Sequence, residues 1–385
     1  MKRLLSLALA LIMVVGLFTA CGAPASKEPG KHNDLEISYT SISSSELVEK
    51  MGIGWNLGNT MDAPDGENAW GQPTTTPEMI NKVKELGFNT IRIPVSWGKH
   101  TDEEFNIDPE WIRRVQDIVD YAMDNDMYVI INSHHDNDFY YPTKNNDEEQ
   151  GEKFITAIWT QVAEYFKDYD QHLIFECMNE PRLSGTDWEW SIDINNTRCA
   201  RAVEILNKYN QIFVNVVRES GGRNTDRFLM MSSYAGSPST ASIDEFIIPT
   251  DTVEDRLLLS THSYSPYNLA MGTDPNHNKF DNSGKGSIDW SLKQLSEKFV
   301  NAGIPVVVTE MGCINKANPD ERYKWAVYYV SKAKELGMVV CWWDNGHDDY
   351  GEETYGLFDR TNLKIYDSCE EVYQGLMDGL NGTAE

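Results

Sequence analysis

Eight short apolar runs recur along the chain, at 52–57, 90–95, 128–132, 173–176, 228–232, 257–262, 305–309 and 339–343. They are near-continuous rather than alternating, the pattern of parallel strands covered on both faces. Between them, helical spacing fills 77–86, 109–125, 154–166, 197–219, 288–302 and 321–336. Several ends are marked. Thr76 and Asp108 stand as N-caps ahead of Pro77 and Pro109, and Gly87, Gly303 and Gly337 follow their helices. Between the fifth and sixth runs only 243–246 suggests a short helix. Eight strands alternating with helices close most simply as a (β/α)8 TIM barrel, a single α/β catalytic domain. A doubly wound open sheet is disfavoured, because Gly52, Gly54 and Gly58 lack the GxGxxG spacing of a phosphate turn.

The composition, 41% hydrophobic and 24% charged, supplies an ordinary globular core. A formal charge of −27 repels phosphate backbones and anionic membrane surfaces, so no nucleic-acid partner is expected. At the N-terminus, Lys2 and Arg3 precede an apolar stretch over 4–18, and Leu17-Phe18-Thr19-Ala20-Cys21 resembles a bacterial lipobox. The expectation is a lipoprotein signal peptide over 1–20, lipidation at Cys21, a flexible tether over 21–40 and a barrel over 41–381. The protein would then be exported, touching a membrane only through its lipid; an ordinary cleaved signal peptide is the alternative. Cys177, Cys199, Cys313, Cys341 and Cys369 show no metal-ligand spacing and read as buried free thiols, or as thiols with one bridge among them.

Catalytic groups of such a barrel lie where its strands end. The first run ends in Asn56, Asn59 and Asp62, the second carries Arg92, and the third enters His134-His135-Asp136. The fourth ends in Asn179-Glu180-Pro181, the sixth in His262-Ser263-Tyr264, the seventh in Glu310, and the eighth in Trp342-Trp343-Asp344-Asn345. One strand-end glutamate would ordinarily be a cap or a surface group. Polar groups on seven strands facing one mouth are costly unless satisfied or used. Two glutamates on opposite sides of that mouth suit glycosidic hydrolysis, which needs one carboxylic acid for the leaving oxygen and one carboxylate opposite it.

The ordered set Arg92-Ile93-Pro94, His134-His135, Asn179-Glu180-Pro181, His262-Ser263-Tyr264 and Thr309-Glu310-Met311-Gly312 resembles glycoside hydrolase family 5, the cellulase family of clan A. Gly54-Trp55-Asn56-Leu57-Gly58-Asn59-Thr60-Met61-Asp62 and Trp342-Trp343-Asp344-Asn345-Gly346 are similar to its bacterial endoglucanase and xyloglucanase branch. The resemblance implies a retaining endo-β-1,4-glucanase acting on a β-linked plant polysaccharide, with Glu180 as acid and base and Glu310 as nucleophile. It implies that Arg92 and Tyr264 keep Glu310 ionised, that Asn179 meets the sugar 2-hydroxyl, and that His134 and His262 belong to the active site. His135 is assigned either to the substrate or to a supporting role; Asn59, Asp62 and Trp343 are assigned to sugar binding. Trp70, Trp97, Trp188, Trp190, Tyr267 and Trp290 are further candidate platforms.

A raised pKa is expected for Glu180, from burial and its neighbour, and a lowered one for Glu310. Because neighbours on a strand face opposite sides, His134 and His135 are not expected to share a metal; no metal or cofactor is expected, and a monomer is. Xyloglucan, mixed-linkage glucan and mannan remain alternative substrates, and a non-catalytic glycan-binding lipoprotein is the rival class.

Overall fold

In a computed structural model of the chain, residues 29–32, 41–140, 148–349 and 351–383 are described. The signal peptide, Cys21 and most of the expected tether lie outside the described residues. Eight parallel strands close in sequential order into a barrel: β1 (Ile53–Asn56), β2 (Thr90–Ile93), β3 (Tyr128–Asn132), β4 (Leu173–Glu176), β5 (Leu229–Ser232), β6 (Leu257–His262), β7 (Val306–Met311) and β8 (Val339–Trp342). Every expected strand is present, and β8 pairs with β1 to complete the ring.

The helices run α1 (Ser44–Met51), α2 (Pro77–Glu85), α3 (Pro109–Met123), α4 (Asn137–Tyr140), α5 (Glu148–Tyr165), α6 (Thr197–Glu219), α7 (Thr240–Asp244), α8 (Tyr267–Ala270), α9 (Asn282–Lys298), α10 (Pro319–Glu335) and α11 (Glu370–Asn381). Thr76 and Asp108 cap α2 and α3 by accepting from Met79 N and Glu110 N, as their positions ahead of proline imply. A two-stranded hairpin, β9 (Phe358–Asp359) with β10 (Lys364–Ile365), follows β8. Cys177, Cys199, Cys313, Cys341 and Cys369 are all buried free thiols.

The barrel interior divides into two levels. Near the N-terminal ends of the strands Tyr128, Ile130, Ile174, Phe228, Met230, Leu258, Val307 and Val339 pack together, and α1 closes that end with Leu47 and Met51. A capping box between Ser43 and Glu46 starts α1. Because strand side chains repeat every second residue, the next inward positions stand one level higher. These are Asn132 after Ile130, Glu176 after Ile174, Ser232 after Met230 and Ser260 after Leu258, all fully buried polar groups. The apolar level makes the barrel; the polar level above it builds the site.

One irregularity aims the nucleophile candidate. Thr261 pairs with Val308, but His262 pairs with Glu310, so β7 carries one extra residue, Thr309. A bulge of this kind lets two successive residues serve one side of a strand. Thr309 meets the Ser260 hydroxyl at 2.7 Å inside the barrel, and Glu310 reaches Arg92 at its mouth.

Residues 29–32 rest on the flank of α3 and α5. Gly30 N donates to Gln116 Oε1 at 3.1 Å, Gln116 returns a hydrogen bond to the Lys31 carbonyl, and His32 Nε2 lies 3.0 Å from Asp124.

Candidate active site

Arg92 organises the mouth. Its side chain is fully buried and spends its donors on four partners: Nε on Glu176 Oε2 at 2.6 Å, Nη1 on Glu310 Oε1 at 2.7 Å and Asn56 Oδ1 at 3.0 Å, and Nη2 on Asn179 Oδ1 at 2.7 Å. The guanidinium fork can hold this arrangement in one plane, which a lysine could not. Since the Asn179 oxygen is taken by Arg92, its amide nitrogen is the group left to donate upward. Glu176 also accepts from Ser260 Oγ at 2.5 Å. Glu176 is the main residue that sequence reasoning passed over. Its only sign was a carboxylate in phase with Ile174 at the end of an apolar run.

The two candidate catalytic glutamates flank His262. Its Nδ1 lies 2.8 Å from Glu180 Oε1 and 3.4 Å from Glu310 Oε2. Carboxylate oxygens of Glu180 and Glu310 and a nitrogen of His262 all lie within 4.8 Å of one another. Tyr264 donates its hydroxyl to Glu310 Oε2 at 3.0 Å. Arg182, two residues past Glu180, donates to the Glu180 carbonyl at 3.0 Å and to its Oε2 at 3.3 Å. Its guanidinium lies 4.0 Å over the Trp190 ring and is also bound to Glu189. Arg182 was not anticipated either, and nothing but its place beside Glu180 points to it.

The charge balance reverses the expectation for the pair. Burial alone would lift the Glu180 carboxyl, yet the hydrogen bond and charge of His262, then Arg182 and His135, outweigh it and hold Glu180 below its ordinary value. Burial lifts Glu310 above its ordinary value, with Glu180 adding, more than His262 and Arg92 lower it. His262 is itself held above its ordinary value: burial opposes its charge, but Glu310 and Glu180 overcome that. The reversal arises because His262 bonds directly to Glu180, a contact between distant strands that spacing does not reveal. With His262 2.8 Å from Glu180 and 3.4 Å from Glu310, the three groups are coupled and titrate together rather than singly.

On the other side of the mouth His134 lies parallel to Trp343, ring centres 5.7 Å apart at 4°, and meets His135 edge to face at 4.5 Å. Trp343 is buried with Ile314 and Tyr355 beside Tyr264. Gly58 gives it room, since a Cβ there would stand 3.0 Å from the Trp343 ring and 2.8 Å from the Asp344 carbonyl. Asp344 anchors this end by accepting from Trp55 Nε1 at 2.8 Å and from Phe358 N at 2.9 Å. Asp62 is fully buried and accepts from the backbone of Asn59 at 3.0 Å and Thr60 at 2.6 Å. Burial pushes its carboxyl up to about 6 against those bonds. Asn59 is half-buried with φ 58°, so the loop turns sharply above Asp62.

One expectation about this side is corrected. His134 and His135 do approach one another and Asp62, with ligand-capable atoms of all three within 4.8 Å. They follow β3 rather than belonging to it, so the alternation of a strand does not separate them. The donors are nonetheless engaged otherwise: Asp62 accepts two backbone N–H groups, and His134 Nδ1 meets the Asn132 amide at 3.1 Å. The Asp62 carboxylate therefore braces its own loop, and what is left for hydroxyls on this side is the far nitrogen of His134 and the His135 ring.

Among the candidate platforms, Trp97 is fully buried, donating Nε1 to the Asn132 carbonyl, and is a core residue. Trp188 packs against the core. Trp70 is 40% exposed with its ring 5.4 Å from His135, and Trp190 is 58% exposed against Arg182, so both border the site. Tyr267 is exposed at the start of α8, and Trp290 is exposed on α9 in the outer helical layer.

The sequence model of the cellulase family, glycosyl hydrolase family 5, matches residues 52–349. Endoglucanase A of Clostridium longisporum is 42% identical over 349 residues, covering 87% of this chain and 66% of that protein. The chain spans 47% of the length of another relative, the cellulase/esterase CelE of Acetivibrio thermocellus. Among solved structures, a family 5 lichenase from Caldicellulosiruptor sp. F32 superposes with a TM-score of 0.84 at 42% identity, covering 89% of this chain and 96% of that one. A broad-specificity endoglucanase of subfamily 4 from Ruminococcus champanellensis, with bound cellotriose, gives 0.82 at 42% identity, covering 88% and 99%.

Proposed function

This chain belongs to glycosyl hydrolase family 5, and on that premise we propose that it cleaves internal β-1,4-glucosidic bonds of cellulose or related β-glucans with retention of configuration. The observation that carries the reading is that one carboxylate oxygen of Glu180 and one of Glu310 lie within 4.8 Å of each other, both beside His262. A pair roughly 5 Å apart leaves no room for a water between nucleophile and sugar, whereas inverting pairs stand about 6.5–9.5 Å apart.

In the first step Glu310 attacks the anomeric carbon while Glu180 passes its proton to the departing glycosidic oxygen, leaving a glycosyl ester on Glu310. In the second, Glu180 takes a proton from water, whose oxygen attacks that carbon and frees Glu310. Arg92 and Tyr264 hold the Glu310 carboxylate in place through both steps, leaving Glu180 to move the proton. Asn179 donates to the 2-hydroxyl, a bond that strengthens as the sugar flattens. Trp343 offers its face to the sugar at the cleavage point, and Asn59 and His135 its polar rim on the non-reducing side, with the fully buried Asp62 carboxylate holding the backbone of Asn59 and Thr60 in place beneath that rim.

His262 supplies the proton that a depressed Glu180 would otherwise lack. In the open cleft the cluster keeps it on His262, and transfer along the 2.8 Å hydrogen bond makes Glu180 the acid. Loss of that shared proton ends the acid role, so activity falls as pH rises through the pKa of the cluster. Because Glu310 and Glu180 hold His262 above its ordinary value, that fall lies on the alkaline side of the ordinary histidine range.

A second substrate reading, mixed-linkage glucan, is favoured by the likeness to the lichenase. Both readings are met by one experiment: the purified chain is given carboxymethyl cellulose, lichenan, xyloglucan and mannan across a range of pH. Rapid loss of viscosity with β-glucans, and an alkaline limb, is the expected result. Inactivity on all four, or cleavage of mannan alone, would overturn the proposal.

The lipobox-like start supports export of this enzyme as a lipoprotein. Labelling of the intact chain with a fatty-acid analogue, abolished in Cys21→Ser, is the expected outcome; secretion without labelling would leave the ordinary signal peptide.

A further inference from the structure

Asn132 closes β3, is fully buried, and takes no part in the roles assigned above. Its side chain is held between two fixed groups. The backbone N–H of Val95 lies 3.0 Å from Oδ1, and a backbone N–H can only donate, so the amide must turn its oxygen that way. The other half of the amide, Nδ2, then faces His134 Nδ1 at 3.1 Å. An amide nitrogen donates and never accepts. His134 Nδ1 must therefore present its lone pair, and the ring hydrogen must sit on Nε2, away from Asn132.

We propose that Asn132 is a positioning residue that fixes His134 with its hydrogen on Nε2, making it a one-way donor to a hydroxyl of the glucosyl unit at the cleavage point. The inference rests on the glucanase reading and adds to it a second layer of control behind the sugar.

The surroundings keep this arrangement rigid. Stacking on Trp343 and the edge of His135 fix the ring plane, and the Asn132 carbonyl is itself held by Trp97 Nε1 at 2.8 Å. The charged and titratable groups facing His134 are His135 on its own loop, Arg92 on β2, His262 on β6 and Arg182 after β4, with Asp62 from the loop after β1 as the nearby anion. Burial first, then the neighbouring basic groups His135, Arg92, His262 and Arg182, holds His134 well below its ordinary value. A proton on Nδ1 would in addition set two donors face to face. The chemical gain lies in the transition state, where positive charge builds on the sugar ring. An imidazolium beside it would oppose that charge; a neutral N–H donor binds the hydroxyl without doing so.

Replacing the amide by an acceptor reverses the logic. In Asn132→Asp one carboxylate oxygen can still accept from Val95 N while the other takes a hydrogen from His134 Nδ1, which raises the His134 pKa. At low pH the imidazolium still donates through Nε2. As it loses a proton the remaining hydrogen stays on Nδ1 beside the carboxylate, and Nε2 becomes an acceptor. The variant should therefore acquire an additional fall in kcat/KM with rising pH, below the wild-type limb and of about tenfold, the worth of one hydrogen bond to the sugar. Asn132→Ala should lose activity by a similar factor at every pH. A purely structural role would depress the Asp variant evenly.

Nitrogen-15 NMR of the histidine-labelled wild-type protein tests the tautomer without substrate and without a variant. The expected spectrum shows His134 with hydrogen on Nε2 and a bare Nδ1 from about pH 5 to 8, the range in which a free histidine would titrate. Hydrogen on Nδ1, or titration within that range, would overturn the inference, as would a pH profile of folded Asn132→Asp parallel to wild type. Failure of the wild-type chain to hydrolyse β-glucan, with the NMR result intact, would instead sink the glucanase reading.

Discussion

Replacing Glu310 by alanine lowers kcat on carboxymethyl cellulose by about 10⁴-fold or more, on the scale of losing a nucleophile, and leaves the fold intact. The second half of that expectation comes from geometry. Glu310 is the penultimate residue of the bulged strand β7, 5% exposed, and its removal frees only one donor of Arg92, which keeps Glu176, Asn56 and Asn179. The space left is the size of a small anion beside a retained cation. Azide should enter it and restore turnover of an aryl cellobioside with a good leaving group, giving an α-glycosyl azide by a single displacement. The corresponding change at Glu180 should spare such activated substrates in the first step, since they need little protonation, and azide rescue should give the β product. A β azide from Glu310→Ala would exchange the two roles. Thermal unfolding of both variants, compared with wild type, separates loss of chemistry from loss of structure.

Arg92→Met damages stability as well as rate. The change leaves Glu176, fully buried, with Ser260 as its remaining side-chain donor among the described residues, and breaking a buried ion pair from one side costs about 3–5 kcal/mol. It also releases Glu310 and the Asn179 oxygen, so the nucleophile and the 2-hydroxyl contact lose their bearings together. Denaturant melts should show the midpoint falling with little change in slope. The double variant Arg92→Met with Glu176→Gln removes the orphaned charge and should recover much of the stability while recovering none of the activity. Equal recovery of both would mean that Arg92 serves the fold alone.

The eight strands could be read from sequence because both faces of each are covered, which leaves uninterrupted apolar runs. Boundaries were harder where periodicity fades. Helix α5 is already formed at Glu148, six residues before the expected start, where the residues 148–151 are mostly polar and contribute only Gly151 to the core. The short helix α8 and the hairpin after β8 are too brief to carry a period. In the site, residues that sit at strand ends were found: Arg92, Asn179, Glu180, His262, Tyr264 and Glu310 do come together, and His134 stacks on Trp343. What spacing does not reveal is partnership across the barrel. Glu176 shares Arg92 with Glu310, and His262 bridges the two glutamates, so the direction of their pKa shifts could not be set from neighbours in sequence. Trp97, one of the candidate platforms, is instead fully buried, its Nε1 donating to the Asn132 carbonyl. The histidine pair was separated by a strand rule that no longer applies past Asn132.

The stereochemistry of the first product tests the central claim most directly. Proton NMR of the reducing end released in the first minutes from a soluble β-glucan, before mutarotation, should show the β anomer, as two displacements through a Glu310 ester require. An α anomer at that time would mean a single displacement by water, and would contradict a carboxylate pair acting at 4.8 Å or less.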